Sequence, residues 1–557
     1  ADRGLEAERA AGAAGDRLSN GSAVSAPPLP PRVVSKGGAQ VDRSASASLL
    51  GSIGRGTRVA GRGDTPMKWL LTSLGAWDTI EGEERHKLTY PLAIVARVLS
   101  AVGHSVESWE GSAESRGTAD GFDVIGIGAM DPRHFWRVAP WLRSIGLPDL
   151  GEDRPDRCPI VVIGGQAATA PAPVLPFVDV VFVGEAEAGL QALTAELDLW
   201  RAGRSRRATL EAIAALPGCI VPSCLPVGHV VDQVFAADLR ISTDHLMSVS
   251  LSSNPRIEIA RGCRGPAGAM LPPERWKACG FCVLGWRRPY QEAPAADVIA
   301  AVERVRAQGG RQLHLSAGDA EGHTQIRAIR EAVSRLGIHD HGWTGRLDTI
   351  ADCHVQPGKL YAFGIEGLSH RIRRAVGKPR LTDEVIAKGM GDYWRQGGRR
   401  VLLHVIGGFP TEGQADVDAF ADLLERLGQE AGGLGEVIHA KIGRQPFNPM
   451  PHTPMQWMPA GLHTAHIGAA LSRGRWGALQ LTETPGQQPP EAALNALAIR
   501  GGAEIWPMMR QGAPKLPREW PIARMRLAKL CRDVGRTLDS YLGALDVGDS
   551  LPWGMVR

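Results

Sequence analysis

The sequence predicts an α/β protein in three parts: a parallel sheet with helices on both faces, a partial (β/α)6 barrel, and a helical C-terminal extension. Three observations predict it. Short apolar runs that end in glycine recur through residues 67–203, with amphipathic stretches between them. A second alternation of strand-like and helix-like segments starts at Arg256 and repeats six times. The last hundred residues, 456–557, read as helices interrupted by prolines.

In the first series the strand candidates are KWLLTSLG, SVESW, DVIGIGAM (123–130), PIVVIGG (159–165) and VDVVFVGE (178–185), with helix candidates at 89–103 and 186–203 between or after them. Continuous apolar strands separated by helices indicate a parallel sheet buried on both faces. Ligands of such sheets bind beyond the carboxyl ends of the strands, where Gly126, Gly128, Gly164, Gly165 and Gly184 permit close backbone approach. The plainer alternative is that these glycines only make tight turns. Residues 204–254 read as a connector. In the second series the strand candidates are 256–262, 312–319, 342–350, 359–367, 401–409 and 436–447, with helices between them, so the barrel spans 255–455. Active sites in barrels lie at the C-terminal strand ends. Ahead of these parts, residues 1–66 are rich in Ala, Gly, Ser, Arg and Pro, cannot bury enough apolar surface to offset chain entropy and read as a disordered or flexible extension.

With 557 residues, 43% hydrophobic and 22% charged, the chain has globular composition and room for two or three domains. A net charge of +4 gives no reason to expect nucleic acid or an anionic membrane as an obligate partner. No apolar run reaches the length of a membrane span, and the first residues do not read as a secretory signal. Eight cysteines in so long a chain do not form a disulfide framework, which points to a reducing cytoplasm.

Three of those cysteines, Cys263, Cys279 and Cys282, fall within twenty residues, at the end of the barrel's first strand. Three readings compete. A structural zinc site needs a fourth ligand, and no histidine lies between His245 and His314. A redox CxxC leaves Cys263 unexplained. Three thiolates on a [4Fe-4S] cluster leave one iron open to a small chelating molecule.

The segment IARGCRG…KACGFC resembles the cluster loop of radical S-adenosylmethionine (radical SAM) enzymes, whose spacing is CxxxCxxC with an aromatic before the last cysteine. Here Phe281 is that aromatic, and the two halves are parted by about a dozen extra residues. The position a CxxxC spacing would reach is Ala267, so the resemblance makes this an expanded loop with Cys279 as second ligand. Further resemblances follow in order. LHLSAGD supplies Ser316, Gly318 and Asp319 where the family meets the methionine amino group, and GRLDTI offers Arg346 near the cofactor. GIEGLSHRIRRAVGKPRLTDEV places Glu366, Arg373 and Lys378 on a family stretch. HVIGGFPTEG carries Gly407 and Gly408 on the strand that approaches the adenine, PFNPMPHTPMQW resembles the end of strand six, and LPWGMVR resembles the ending of one subgroup. Taken singly, Glu366 with Arg373 is a surface ion pair, Gly407–Gly408 a bulge and Asp319 a helix cap; their order argues otherwise.

The first domain resembles the Rossmann-like cobalamin (B12)-binding domain found ahead of many radical SAM enzymes, with Gly164, Gly165, Gly184 and Glu185 on its pattern. The DxHxxG motif that supplies a lower-axial histidine is absent, and His134 lacks its spacing. The resemblance implies a radical SAM enzyme with a [4Fe-4S] cluster and S-adenosylmethionine, cleaving the latter reductively to a 5′-deoxyadenosyl radical. With cobalamin the implied outcome is methyl transfer to an unactivated carbon, a transferase reaction; without it, rearrangement or oxidation. A reducing electron donor is the implied partner, and the substrate is a small molecule, peptide or protein. The rival readings are a non-catalytic binding or assembly protein whose cluster loop is disrupted, and a nucleic-acid-modifying enzyme.

Overall fold

The computed structural model describes residues 66–74, 90–109, 118–226, 228–239, 256–263, 278–340, 344–352, 355, 358–474, 476–484 and 488–557. All of them belong to one compact unit, Ala60–Arg557. The expectation for the extension 1–66 therefore falls, except for Pro66, outside the described residues, as does Ala267.

The first sheet contains β1 (Lys68–Ser73), β2 (Ser105–Ser108), β3 (Val124–Gly128), β4 (Ile160–Gly164), β5 (Val180–Phe182) and β6 (Cys219–Ile220). Their order is β2-β1-β3-β4-β5-β6. The first five are parallel, and β6 closes the edge antiparallel to β5. The predicted runs are apolar throughout because alternate residues enter two cores. Ile125, Ile127, Val161 and Ile163 point into one, and Trp69, Leu71, Val124 and Val162 into the other. Two expectations change. The segment 204–254 is not only a connector, since the helix Arg206–Ala214 and β6 complete this sheet. The C-terminal helices Pro489–Arg500, Trp506–Gln511 and Trp520–Asp533 pack on the first sheet rather than capping the second. Trp136 Nε1 donates to the Leu494 carbonyl at 3.1 Å, and Trp506 Nε1 to that of Ala172 at 2.8 Å. The terminal LPWGMVR is structural: Trp553 is buried with Ala170 and Ile499, and Val556 bridges Val231.

The second part begins with β7 (Arg256–Glu258) and β8 (Ala260–Arg261), continues with β9 (Gln291–Glu292), β10 (Gln312–Ser316), β11 (His339–Asp340) and β12 (Thr344–Gly345), and ends with β13 (Leu360–Glu366), β14 (Arg400–Gly407), β15 (Ile438–Pro446) and β16 (Leu479–Thr484). Parallel ladders join β7, β10 and β11, and β12 through β16, so neighbours follow chain order. β16 lies in a segment read as helical; its LQLTET alternates and is half exposed, which hides the apolar signal. Strand β14 alternates buried Val401, Leu403 and Val405 with His404 and Ile406, and the buried set meets Tyr361, Phe363, Ala440 and Ile442 beneath the helices. No helix among the described residues is long and apolar enough to cross a membrane.

At the N-terminal strand ends a charged cluster is fully enclosed. Asp340 pairs with Arg330 and, at 3.3 Å, with Lys359, and accepts the Leu315 N–H at 3.0 Å. Burial pushes the Lys359 ammonium down from 10.5 to about 8, with Asp340 opposing the fall. The folded value lies below the unfolded one, so between them the unfolded chain holds more protons and stability rises with pH. The penalty is present in full at neutral pH and is relieved between about 8 and 10.5. Wild type is therefore expected to gain up to about 3 kcal/mol over Lys359→Met across that window. Urea unfolding of both proteins at pH 7 and 10 checks it; parallel pH profiles would contradict it.

Candidate functional site at the carboxyl ends of both sheets

The cysteine segment follows β7, at the edge of the β7–β10–β11 ladder. β8 and β9 pair antiparallel, Ala260 with Glu292 and Arg261 with Gln291, and stitch its base. Gly262 turns at φ +72, and a Cβ there would lie 2.7 Å from the Pro289 carbonyl, so only glycine closes the neck. Cys263 stands at one foot, and Cys279 and Cys282 on the return.

The return is anchored from three sides. The Gly280 N–H donates to the Val376 carbonyl at 2.9 Å, and the Met455 N–H to the Gly280 carbonyl at 3.1 Å. The Cys282 N–H closes a turn onto the Cys279 carbonyl at 3.1 Å, which also accepts Trp286 Nε1 at 2.9 Å. Phe281 packs 6.3 Å from Phe409, which stacks 4.9 Å from Phe447, so the aromatic between the cysteines plugs the ends of β14 and β15. Burial pushes the Cys279 thiol up to about 12; Lys378 opposes this, while Glu366, Cys282 and Cys263 add to it. Burial also raises Cys282, against a Leu284 N–H and with Cys263 and Glu366 adding. The three thiols thus lie within Coulombic range of one another. Among the described residues no three His, Cys, Asp or Glu side chains are grouped to hold a single metal ion.

The strand ends bring the other expected residues around them. Glu366 ends β13 at φ +60, beside a register shift that opens after Gly364. A left-handed glutamate is a strained backbone and marks a site that the surroundings enforce. Lys378 Nζ holds it, 2.8 Å from Glu366 Oε1 and 3.2 Å from the Gly364 carbonyl. The pair is not Glu366 with Arg373. Arg373 is buried, donates to the Leu381 and Gly367 carbonyls at 2.7 and 3.2 Å, and pairs with Asp383; it shapes the turn that carries Lys378. Arg346 lies against Asp348 through Nε–Oδ1 at 2.9 Å and Nη2–Oδ2 at 2.6 Å. Burial raises the Asp319 carboxyl while Arg346 draws it back, and Asp319 accepts the Gly322 N–H at 3.1 Å, a turn rather than a helix cap. Gly407 and Gly408 are no bulge in the β14–β15 ladder, which runs in register to Gly407. Gly408 has φ +79, a Cβ there would meet the His463 carbonyl at 2.8 Å, and its N–H donates to Glu412.

The first sheet faces the same region. A cavity of about 300 Å³ is bordered by Gly128, Gly164, Gly165 and Glu185 on one side and by Glu258 and Ser316 on the other. It sits at the reversal of strand order between β1 and β3, the place where such sheets bind ligands. Gly165 turns at φ +104 with a hypothetical Cβ 2.5 Å from the Ala129 carbonyl, and Gly184 at φ +146 runs against Val234, so both are required by close approach. A larger groove, about 1630 Å³, lies at the opposite strand ends, where Arg154 and Arg206 both pair with Asp179. His134 follows β3 in a short turn, lowered by burial, and does not border the smaller cavity. His452, in the loop after β15, sits at φ +60 with Nε2 2.9 Å from the Thr169 carbonyl, and ties this loop to the one after β4.

Sequence reasoning missed Arg261, Glu187 and Glu258, which meet in one buried ion cluster beside Cys263. The available signal was an arginine two residues before the first cysteine and the second carboxylate of GEAE. His404, on the inner face of β14 and within Coulombic range of Glu366 and Lys378, was also missed because it occupies an ordinarily apolar position.

Residues 105–222 match the family described as "Radical SAM proteins, N-terminal". The ribosomal protein uS12 methylthiotransferase RimO of Frankia alni is 26% identical over 184 residues, covering 28% of this chain and 32% of that protein. The match thus spans about a third of that relative. Among solved structures, the radical S-adenosylmethionine methyltransferase TsrM from Kitasatospora setae, with cobalamin and [4Fe-4S] cluster bound, aligns at a TM-score of 0.46 and 14% identity over 83% of this chain and 99% of that one. The cobalamin-dependent S-adenosylmethionine radical enzyme OxsB with aqua-cobalamin aligns at 0.45 and 13% over 66% of this chain and 52% of its own. The family match over residues 105–222 and the RimO relative agree with the ordered radical SAM motifs of the sequence.

Proposed function

We propose that this protein is a radical SAM enzyme whose cluster is held by Cys263, Cys279 and Cys282 at the carboxyl mouth of a partial β/α barrel, with cobalamin in the cavity of the first sheet and methyl transfer to an unactivated carbon as the outcome. The observation that carries the reading is the placing of Cys263 on one side of the tied neck and of Cys279 and Cys282 on the other, within Coulombic range, beside the strand ends that bear Ser316, Arg346 and Glu366. Thiolate donors suit iron and sulfide, and three protein ligands without a fourth leave one metal corner for a small molecule. When bound, the cluster supplies a single electron for reductive cleavage of S-adenosylmethionine to the 5′-deoxyadenosyl radical.

The chain's own residues orient and enclose. Lys378 holds the Glu366 carboxylate in its left-handed turn, close to the thiols. Gly408 lets the end of β14 turn tightly against the His463 carbonyl. Phe281, Phe409 and Phe447 form an apolar plug that keeps water from the thiol side. On the other wall Gly128, Gly164 and Gly165 leave backbone at the surface of the cavity, where a large planar macrocycle needs close contact.

Anaerobic purification, reconstitution with iron and sulfide, and absorption spectroscopy test this reading. About four irons per chain, and a further cobalamin band after incubation with hydroxocobalamin, are expected. A colourless protein after reconstitution sinks the cluster, and a cluster-containing protein that passes cobalamin unbound through gel filtration sinks the methyl-transfer half.

A further inference from the structure

We propose that Glu185 and Glu187 are positioning residues for the cluster loop, acting through Arg261. This rests on the reading of the three thiols as cluster ligands and adds a role for the GEAE turn of the first sheet. Arg261 lies two residues before Cys263 and is 5% exposed. Its guanidinium donates from Nε to Glu258 at 2.9 Å and from Nη2 to Glu187 at 2.6 Å, and Nη1 faces Glu185 at 3.1 Å as an ion pair without a hydrogen bond. Glu258 belongs to the adjoining strand, but Glu185 and Glu187 come from the far side, at the carboxyl end of β5.

The grip closes on itself. Glu185 Oε2 accepts the Ala236 N–H at 2.9 Å, and Gln291 Nε2 donates to the Ala236 carbonyl at 2.7 Å. Gln291 is the ladder partner of Arg261 at the neck of the cysteine segment. Glu185, Arg261, Gln291 and Ala236 therefore form one circuit that fastens both feet of the cysteine loop to the first sheet. Burial alone would lower the Arg261 guanidinium, and the carboxylates overcome this and raise it. A buried ionic cluster is poorly explained by stability, because apolar residues of the same volume serve as well. Its forked geometry instead fixes direction, which a lysine's single ammonium does not. Glu185, Glu187, Glu258 and Arg261 also border the cavity, so the group that fills it touches the grip that holds Cys263.

Residues behind metal ligands set how firmly and at what potential the metal is held. Glu187→Gln keeps volume and removes one negative charge near the thiols. Reconstituted Glu187→Gln is expected to lose iron to a chelator about 10-fold faster than wild type, with a more positive midpoint potential and an altered EPR spectrum of the reduced protein. Arg261→Lys, which keeps the charge and loses the fork, should also release iron faster. Glu436→Gln, at an exposed pair with Arg399, should change none of these. A lowered melting temperature with unchanged iron release, potential and EPR overturns the proposal, as does failure of Glu185→Gln, Glu187→Gln and Arg261→Lys alike to fold by circular dichroism. A wild type that takes up no iron instead overturns the cluster reading beneath it.

Discussion

Cys279→Ala is expected to strip the protein of its iron. Reconstituted wild type should carry about four irons per chain and the variant fewer than one, because two thiolates do not retain the cluster. The substitution isolates the sulfur: the bonds that shape this turn, from Trp286 Nε1 and the Cys282 N–H, are accepted by the Cys279 carbonyl and survive it. Cys531→Ala is the matched control, since Cys531 is fully buried in the core under the first sheet. It should unfold earlier yet keep its iron. Equal iron in wild type and Cys279→Ala would return the segment to the reading in which Cys263 and the CxxC have separate roles.

Glu366→Gln should weaken both the fold and cofactor binding. It leaves the Lys378 ammonium with a carbonyl partner but no anion, in a place where burial lowers it and Glu366 restores it. Breaking one side of such a pair costs about 3 kcal/mol by urea unfolding. Equilibrium dialysis of S-adenosylmethionine against the reconstituted variant should show about 10- to 100-fold weaker binding. Glu366→Gly loses the same carboxylate but relieves the left-handed backbone, and should be about 1 kcal/mol more stable than Glu366→Gln. If the glycine variant is the less stable of the two, the strain argument fails; if the glutamine variant matches wild type, the ion pair contributes nothing.

The strands of the first sheet were legible because burial on both faces leaves unbroken apolar runs such as VIGIG and IVVIG. β6 and β16 were not, for opposite reasons: one is two residues long, and the other is half exposed and polar at alternate positions. The docking of the C-terminal helices on the first sheet was also hidden. Periodicity reveals that a helix has an apolar face, and nothing in it says which sheet receives that face. At the candidate site, glycines were readable because close approach forbids a side chain, and the cysteines because thiols that cluster need a cause. The partners of charged residues were less so. Glu366 had several cations within reach along the chain, Arg371, Arg373, Arg374 and Lys378, and only the turn after Gly367 decides among them.

The antiparallel ladder between Ala260–Arg261 and Gln291–Glu292 bears on how relatives of this chain are to be recognised. Once the neck is tied, the number of residues between its two sides is loosely constrained, since doubling a loop's length costs only about 0.6 kcal/mol. Evolution can then lengthen or shorten this stretch while the sulfur-bearing ends stay in place. A search that counts residues from the first cysteine to the second will pass such chains by; one keyed to the tied neck and the closing CxFC will find them.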